Sequence, residues 1–182
     1  RSSDLQDSGL VADDPVIKRF ALRLATRTSR VTRRDYDFER LVDKLIKLAE
    51  EELAAKGSVP VRVRALRALA RIQAPSTVEA VLAGLGAAEV PVRDEAAFAA
   101  GVLALAWEPL TDAEKARMTE ALLAAEGAEK DEGVRRTLLE SLGKLATPGA
   151  VSRLTERLSE GRPETAGRAA VALGVAARRG AS

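Results

Sequence analysis

The stretch SVPVRVRALRALARIQAPSTVEAVLAGLGAAEVPVRDEAAFAAGVLALA, residues 58–106, decides the fold. It carries the tetrapeptide Val-Pro-Val-Arg twice, from Val59 to Arg62 and from Val90 to Arg93, each time opening an alanine-rich apolar run. Such an echo predicts an array of like units, each burying its apolar face on its neighbours. The proline suits a first helical turn, where φ is preset and an N–H would have no partner. Val61, Ala65, Leu66, Leu69 and Ile72 then recur at the spacing of one helix face.

The same pattern extends outward on both sides. Residues 1–12 lack periodicity and are expected to form a flexible lead-in. Asp13, Asp14 and Pro15 read as a helix start, followed by the stripe Ile17, Phe20, Ala21 and Leu24. A second helix is predicted over about 37–55, on the stripe Phe38, Leu41, Val42, Leu45, Ile46, Ala49 and Leu53. Further starts are read at Ser76, at Thr111 with Glu114 as a capping box, at Asp131, at Pro148 and at Pro163. The helix from Pro91 is expected to run through Leu105 and Trp107, and the last one to about Arg178.

With the first helix of each unit in register, Ala25, Ala70, Gly101, Gly143 and Gly174 share one position, where a small residue suits a close crossing. The predicted fold is all-α, a superhelix of about four helical pairs plus a terminal helix. Its units span about 13–57, 58–88, 89–130, 131–161 and a partial 162–180 within a repeat domain of 13–182.

Composition narrows the function. Aromatics are 3% of 182 residues, so the core must be aliphatic and a ligand pocket with stacking walls is disfavoured. Lys plus Arg is 29 against 27 for Asp plus Glu, a balance with no whole-molecule pull toward nucleic acid or anionic lipid. With neither cysteine nor histidine, disulfides, thiolate nucleophiles, imidazole bases and most zinc or haem chemistry drop out. No cofactor and no enzymatic activity are expected. No apolar run reaches the length of a membrane span, and the compartment is left open. Because the chain starts at Arg1 rather than Met, it is read as a processed form or a fragment.

The pattern Pro-x-Val-Arg-x-x-Ala-x-x-Ala-(Leu)-Gly resembles the HEAT-repeat family in its short bacterial form. It is carried by PVRVRALRALARI at 60–72, PVRDEAAFAAGVL at 91–103, GVRRTLLESLGKL at 133–145 and ETAGRAAVALGVA at 164–176, with DPVIKRFALRLA at 14–25 as a weaker fifth. The run at 96–126 is similar to HEAT arrays of large secreted bacterial proteins, some of which precede a cyclophilin-type domain. The resemblance implies an α-solenoid that binds a protein partner or an adjacent domain. It also implies that Arg62 and its equivalents Arg93 and Arg135 tie adjacent repeats together.

Candidate partner-binding residues on the ridge of second helices are Tyr36, Glu114, Arg117, Glu120, Arg153 and Arg157. The alternative is nucleic-acid-backbone binding through the arginine stripes Arg19, Arg23, Arg27 and Arg64, Arg67, Arg71. Against it stands the absence of interleaved aromatics for base stacking. Residues 76–133 carry a net −8, including Glu126 and Glu129, and are read as a solvated face or a seat for a basic partner. Asp94 and Glu95 are adjacent, hence about 100° apart on a helix, and are read as capping or solvating its start rather than as an acid-base pair. Trp107 is expected to pack between repeats. Ala169, Ala170, Ala172, Leu173, Val175 and Ala176 are expected to form an uncovered apolar surface, with oligomerisation through the last helix as one outcome.

Overall fold

A computed structural model describes residues 43, 44, 46–48, 51, 58–106, 109–160 and 162–180. The expectations for the lead-in, for the helix from Asp13, for Tyr36 and Trp107, and for Arg19, Arg23 and Arg27 lie outside the described residues. Residues 43, 44, 46–48 and 51 are helical, within the span expected for a second helix. Onward from there run α1 (Val59–Ile72), a 3-10 turn (Pro75–Thr77), α2 (Val78–Gly84), α3 (Val90–Leu103), α4 (Asp112–Ala128), α5 (Glu132–Leu145), α6 (Pro148–Ser159) and α7 (Pro163–Arg178). No described residue is in a strand.

The helix starts follow local chemistry. A proline stands in the first turn of α1, α3, α6 and α7. At α4, the Thr111 hydroxyl accepts from the Glu114 N–H at 3.2 Å, and the Glu114 carboxylate accepts from the Thr111 N–H at 2.7 Å. That reciprocal pair is the capping box read from the sequence. Asp131 caps α5 by accepting from the Val134 N–H at 3.1 Å. Two boundaries differ from expectation. Ser76 caps nothing; it sits inside the 3-10 turn, and α2 begins at Val78. α3 stops at Leu103, short of Leu105.

The helices form two layers. α1, α3, α5 and α7 pack in succession, and α2, α4 and α6 line up alongside them. Each second helix also packs on the following first helix, as α2 on α3, α4 on α5 and α6 on α7. The seam between units is therefore as much a part of the core as the hairpin within a unit. The core is aliphatic: Leu66, Leu69, Leu103, Met118, Leu122, Leu138, Leu139, Leu142 and Leu154 are fully buried. Between these leucines lie buried alanines of α1 and α3, which draw the helices together.

The register of small residues has a steric meaning. At Gly101 an added Cβ would stand 2.4 Å from the Ser141 Oγ, and at Gly143 it would stand 2.6 Å from the backbone oxygen of Ala172. Each glycine admits the next first helix, and Ser141 completes its seat by donating to the Ala97 carbonyl at 2.7 Å.

The apolar face of α7 is rotated from its expected position. Ala169, Ala172 and Ala176 are buried, and Leu173 and Val175 are half-buried, because α7 lays this side on α5 and α6. The open face is the opposite one, with Gly167, Ala170, Val171, Gly174 and Ala177.

Candidate functional site: the ridge of second helices

Most of the arginines singled out by the sequence are already engaged. Arg62 donates to Glu89 at 2.7 Å from a nearly buried position. Arg93 grips Glu129 through two nitrogens, at 2.7 and 3.0 Å, and donates again to the carbonyls of Ala87 and Ala88. Arg135 reaches Glu132 and the Glu129 carbonyl. Arg62 and Arg135 reach across the expected unit boundaries, to Glu89 and to the Glu129 carbonyl, whereas Arg93 and Glu129 lie within one expected unit, 89–130.

Glu129 is the pivot of that tie. The Arg93 guanidinium, helped by the N–H groups of Lys130 and Asp131, holds its carboxyl down to about 2 against the opposing effect of burial. Arg93 is in turn held more firmly in its charged form by Glu129. Glu129 thus belongs to neither a solvated face nor an open acidic seat.

On the first-helix side, Arg67 of the alternative stripe pairs through two nitrogens with Glu95, which is buried. Asp94 accepts from the Thr137 hydroxyl at 2.6 Å. The expectation that both carboxylates cap or solvate a helix start is corrected for Glu95, which is buried against Arg67 of α1, whereas Asp94 is exposed to solvent and also reaches Thr137 of α5. Arg64 is half-buried and Arg71 is exposed, so the α1 stripe presents less free positive charge than its sequence promised.

Along the ridge, the candidate residues divide. Glu114 is consumed in the capping box, where the Thr111 hydroxyl and N–H hold its carboxyl below the usual carboxylate range. Arg153 and Arg157 converge on one carboxylate, that of Glu126, with Arg153 at 2.9 Å and Arg157 at 2.8 and 2.9 Å. Glu126 is fully buried. It is the counter-ion that clamps α6 to α4, and again not part of a solvated acidic face. Sequence inspection missed this role, since its only signal was a carboxylate on the apolar side of a helix facing a second helix with two arginines one turn apart.

Arg117 and Glu120 remain outward. Both are exposed; Arg117 lies 3.4 Å from Glu79 of α2 and 4.0 Å from Glu120. Surface pairs of this length contribute little and are easily exchanged for an intermolecular contact.

Beside Glu120 a groove of about 750 Å³ opens between α4 and the turn from α5 into α6. Ala116, Leu123, Leu145 and Pro148 supply its apolar lining, while Asp112, Lys115, Glu120 and Arg179 supply charge. Arg179 is fixed there by donating to the Ala104 carbonyl at 2.9 Å. A second recess of about 560 Å³ lies between α5 and α7, lined by Arg135, Arg136 and Arg168 together with Glu132 and Glu164. Two of its arginines are paired, Arg135 with Glu132 and Arg168 with Glu140 at 3.7 Å.

No protein-family profile matches the chain. A stretch of 36 residues, 20% of the chain, is 78% identical to part of the type VI secretion system spike protein VgrG4b of Pseudomonas aeruginosa strain PAO1. A stretch of 35 residues is 74% identical to part of the spike protein VgrG5 of the same strain. The chain spans only 4% of the length of either protein. Among solved structures, an engineered protein aligns over 97% of the chain and 79% of its own, with a TM-score of 0.65 at 20% identity. That likeness concerns the fold alone, and the fold is an all-helical superhelix.

Proposed function

We propose that the chain is a non-catalytic, HEAT-like scaffold that binds a protein partner along the ridge of its second helices. The observation that carries this is the groove along α4. It is the place where outward charge (Asp112, Lys115, Glu120) meets an apolar lining, while Arg153 and Arg157 are committed to Glu126. A shallow, mixed surface of this kind suits a protein segment better than a small substrate. The likeness of a short stretch, 74–78% identical, to parts of two spike proteins supports seeking the partner in the type VI secretion spike.

The test is direct binding of the whole chain to purified VgrG4b, read by biolayer interferometry. Binding is expected in the micromolar range or tighter, weakened about tenfold or more by Ala116→Arg, which fills the groove from an exposed helical position. No binding at high concentration, or binding indifferent to Ala116→Arg, sinks the proposal. Duplex DNA at low salt serves as the rival ligand. Tight binding there with a steep salt slope would move the function to the arginine stripes.

A further inference from the structure

We propose that the outward face of α7 is a self-association surface, on which a second copy of this chain lays its own α7 antiparallel about a two-fold axis between Ala170 and Val171. The interior seams show what such a face receives. Gly101 is closed by Ser141 of the next first helix, and Gly143 is closed by Ala172. Gly174 stands at the same position of α7, yet a Cβ placed there meets nothing within 4 Å, and the same holds at Gly167 one layer earlier. Val171 between them is 61% exposed, the most open of the large apolar residues described. Leu139, which sits in α5 where Ala170 sits in α7, is buried by contrast.

The pattern of α7 itself selects the occupant. Antiparallel pairing between Ala170 and Val171 sets Gly167 of each copy against Gly174 of the other, so two backbones approach where neither carries a Cβ. It also brings Glu164 to within one residue of register of Arg178 in the other copy, giving opposite charges at both ends. Both side chains are exposed, and among the described residues neither has an ion-pair partner within its own chain. A two-fold arrangement closes on itself, unlike a head-to-tail stack.

Sedimentation equilibrium of the intact chain over a concentration series tests this. The expected result is a reversible rise from the 19.3 kDa of one chain to twice that mass, and no further. Gly174→Leu should keep the helical circular dichroism and abolish the larger species. Arg178→Glu should weaken association about tenfold, and Glu164→Arg combined with Arg178→Glu should restore it. The proposal is overturned by a single-chain mass at every concentration, by growth beyond two chains, or by a dimer that ignores the Arg178 change. The charge swap decides the matter even if Gly174→Leu fails to fold.

Discussion

Gly143 and Gly174 occupy the same place in successive first helices, yet one lies under the backbone of Ala172 and the other faces empty space. Around Gly143 the seam is closed by the missing Cβ and by the buried Leu139 and Leu142 of α5 against Ala169, Ala172 and Ala176 of α7, with Arg168 of α7 3.7 Å from Glu140 of α5. Around Gly174 the described residues present the exposed Val171, the small Ala170 and Ala177, and Glu164 and Arg178, which have no ion-pair partner among the described residues. A residue in a repeat therefore has no fixed role of its own, because the neighbouring unit decides whether it is packing or surface. Stability should be concentrated in the closed seams, and substitutions at the open face should be tolerated or even helpful.

The largest expected effect is at the clamp between α4 and α6. Glu126→Ala removes the shared counter-ion of Arg153 and Arg157 and leaves a cavity in a fully buried position. Breaking a buried pair from one side costs about 4 kcal/mol. Urea unfolding followed by circular dichroism should show that loss, and a midpoint unchanged from the parent chain would contradict the clamp. Glu126→Gln retains the shape and some of the hydrogen bonds, and should lose less.

Acid comes next. The Glu129 carboxyl is held at about 2 rather than 4.5, so the folded chain takes up this proton less readily than the unfolded chain. Its contribution is complete above about pH 4.5, and is lost as pH falls toward 2. The span corresponds to about 3 kcal/mol. Glu114 and Glu160 are shifted the same way, through Thr111 and Arg157, and both are more open to solvent. Arg93→Gln should flatten the acid limb of the stability profile. A profile equally steep in that variant would remove Arg93 as the cause.

What could be read in the sequence and what could not have different physical sources. Proline in a first turn, the Thr111 and Glu114 box, the Asp131 cap and the 3-4 spacing of leucines are interactions within a few residues, and the structure has them where the sequence places them. The repeated register singled out Arg62, Arg93 and Arg135, while their tying role was implied only by the resemblance to HEAT repeats. Glu126 and Glu129 were not. Their burial depends on arginines 27 to 36 residues away, and a carboxylate that will be buried looks the same in sequence as a solvated one. The open face of α7 was misplaced for a related reason. With Ala169, Ala170, Ala172, Ala176 and Ala177 around one helix, hydrophobicity hardly distinguishes one side from another, and packing against α5 and α6 chooses. For the ridge, the sequence placed Arg117, Arg153 and Arg157 on second helices but could not separate Arg117, which faces outward, from Arg153 and Arg157, which are tied down.

The opening contrast is tested most cleanly by making one substitution twice. Gly143→Ala places a methyl group 2.6 Å from the oxygen, and 2.9 Å from the Cα, of Ala172. Those are backbone atoms, so α7 must move away from α5. Overpacking of this kind costs about 2 kcal/mol after the gain in helix propensity from losing a glycine. Gly174→Ala places the same methyl group in open space on a helix with ordinary backbone geometry. At protein concentrations low enough to keep the chain single, the propensity gain stands alone, and the chain should become more stable by up to about 1 kcal/mol. Because the two sites hold the same residue in the same register, the difference between them measures the seam itself. Equal and opposite-signed results by thermal or urea unfolding are not required, but the signs must differ. Two stabilising substitutions would mean that α7 does not sit on α5 as closely as Gly143 indicates. Two destabilising ones would mean that the outer face of α7 is already covered under the conditions of measurement. In that second case, repeating the Gly174→Ala measurement at lower protein concentration separates a covering copy, whose effect fades on dilution, from an intramolecular one, whose effect does not.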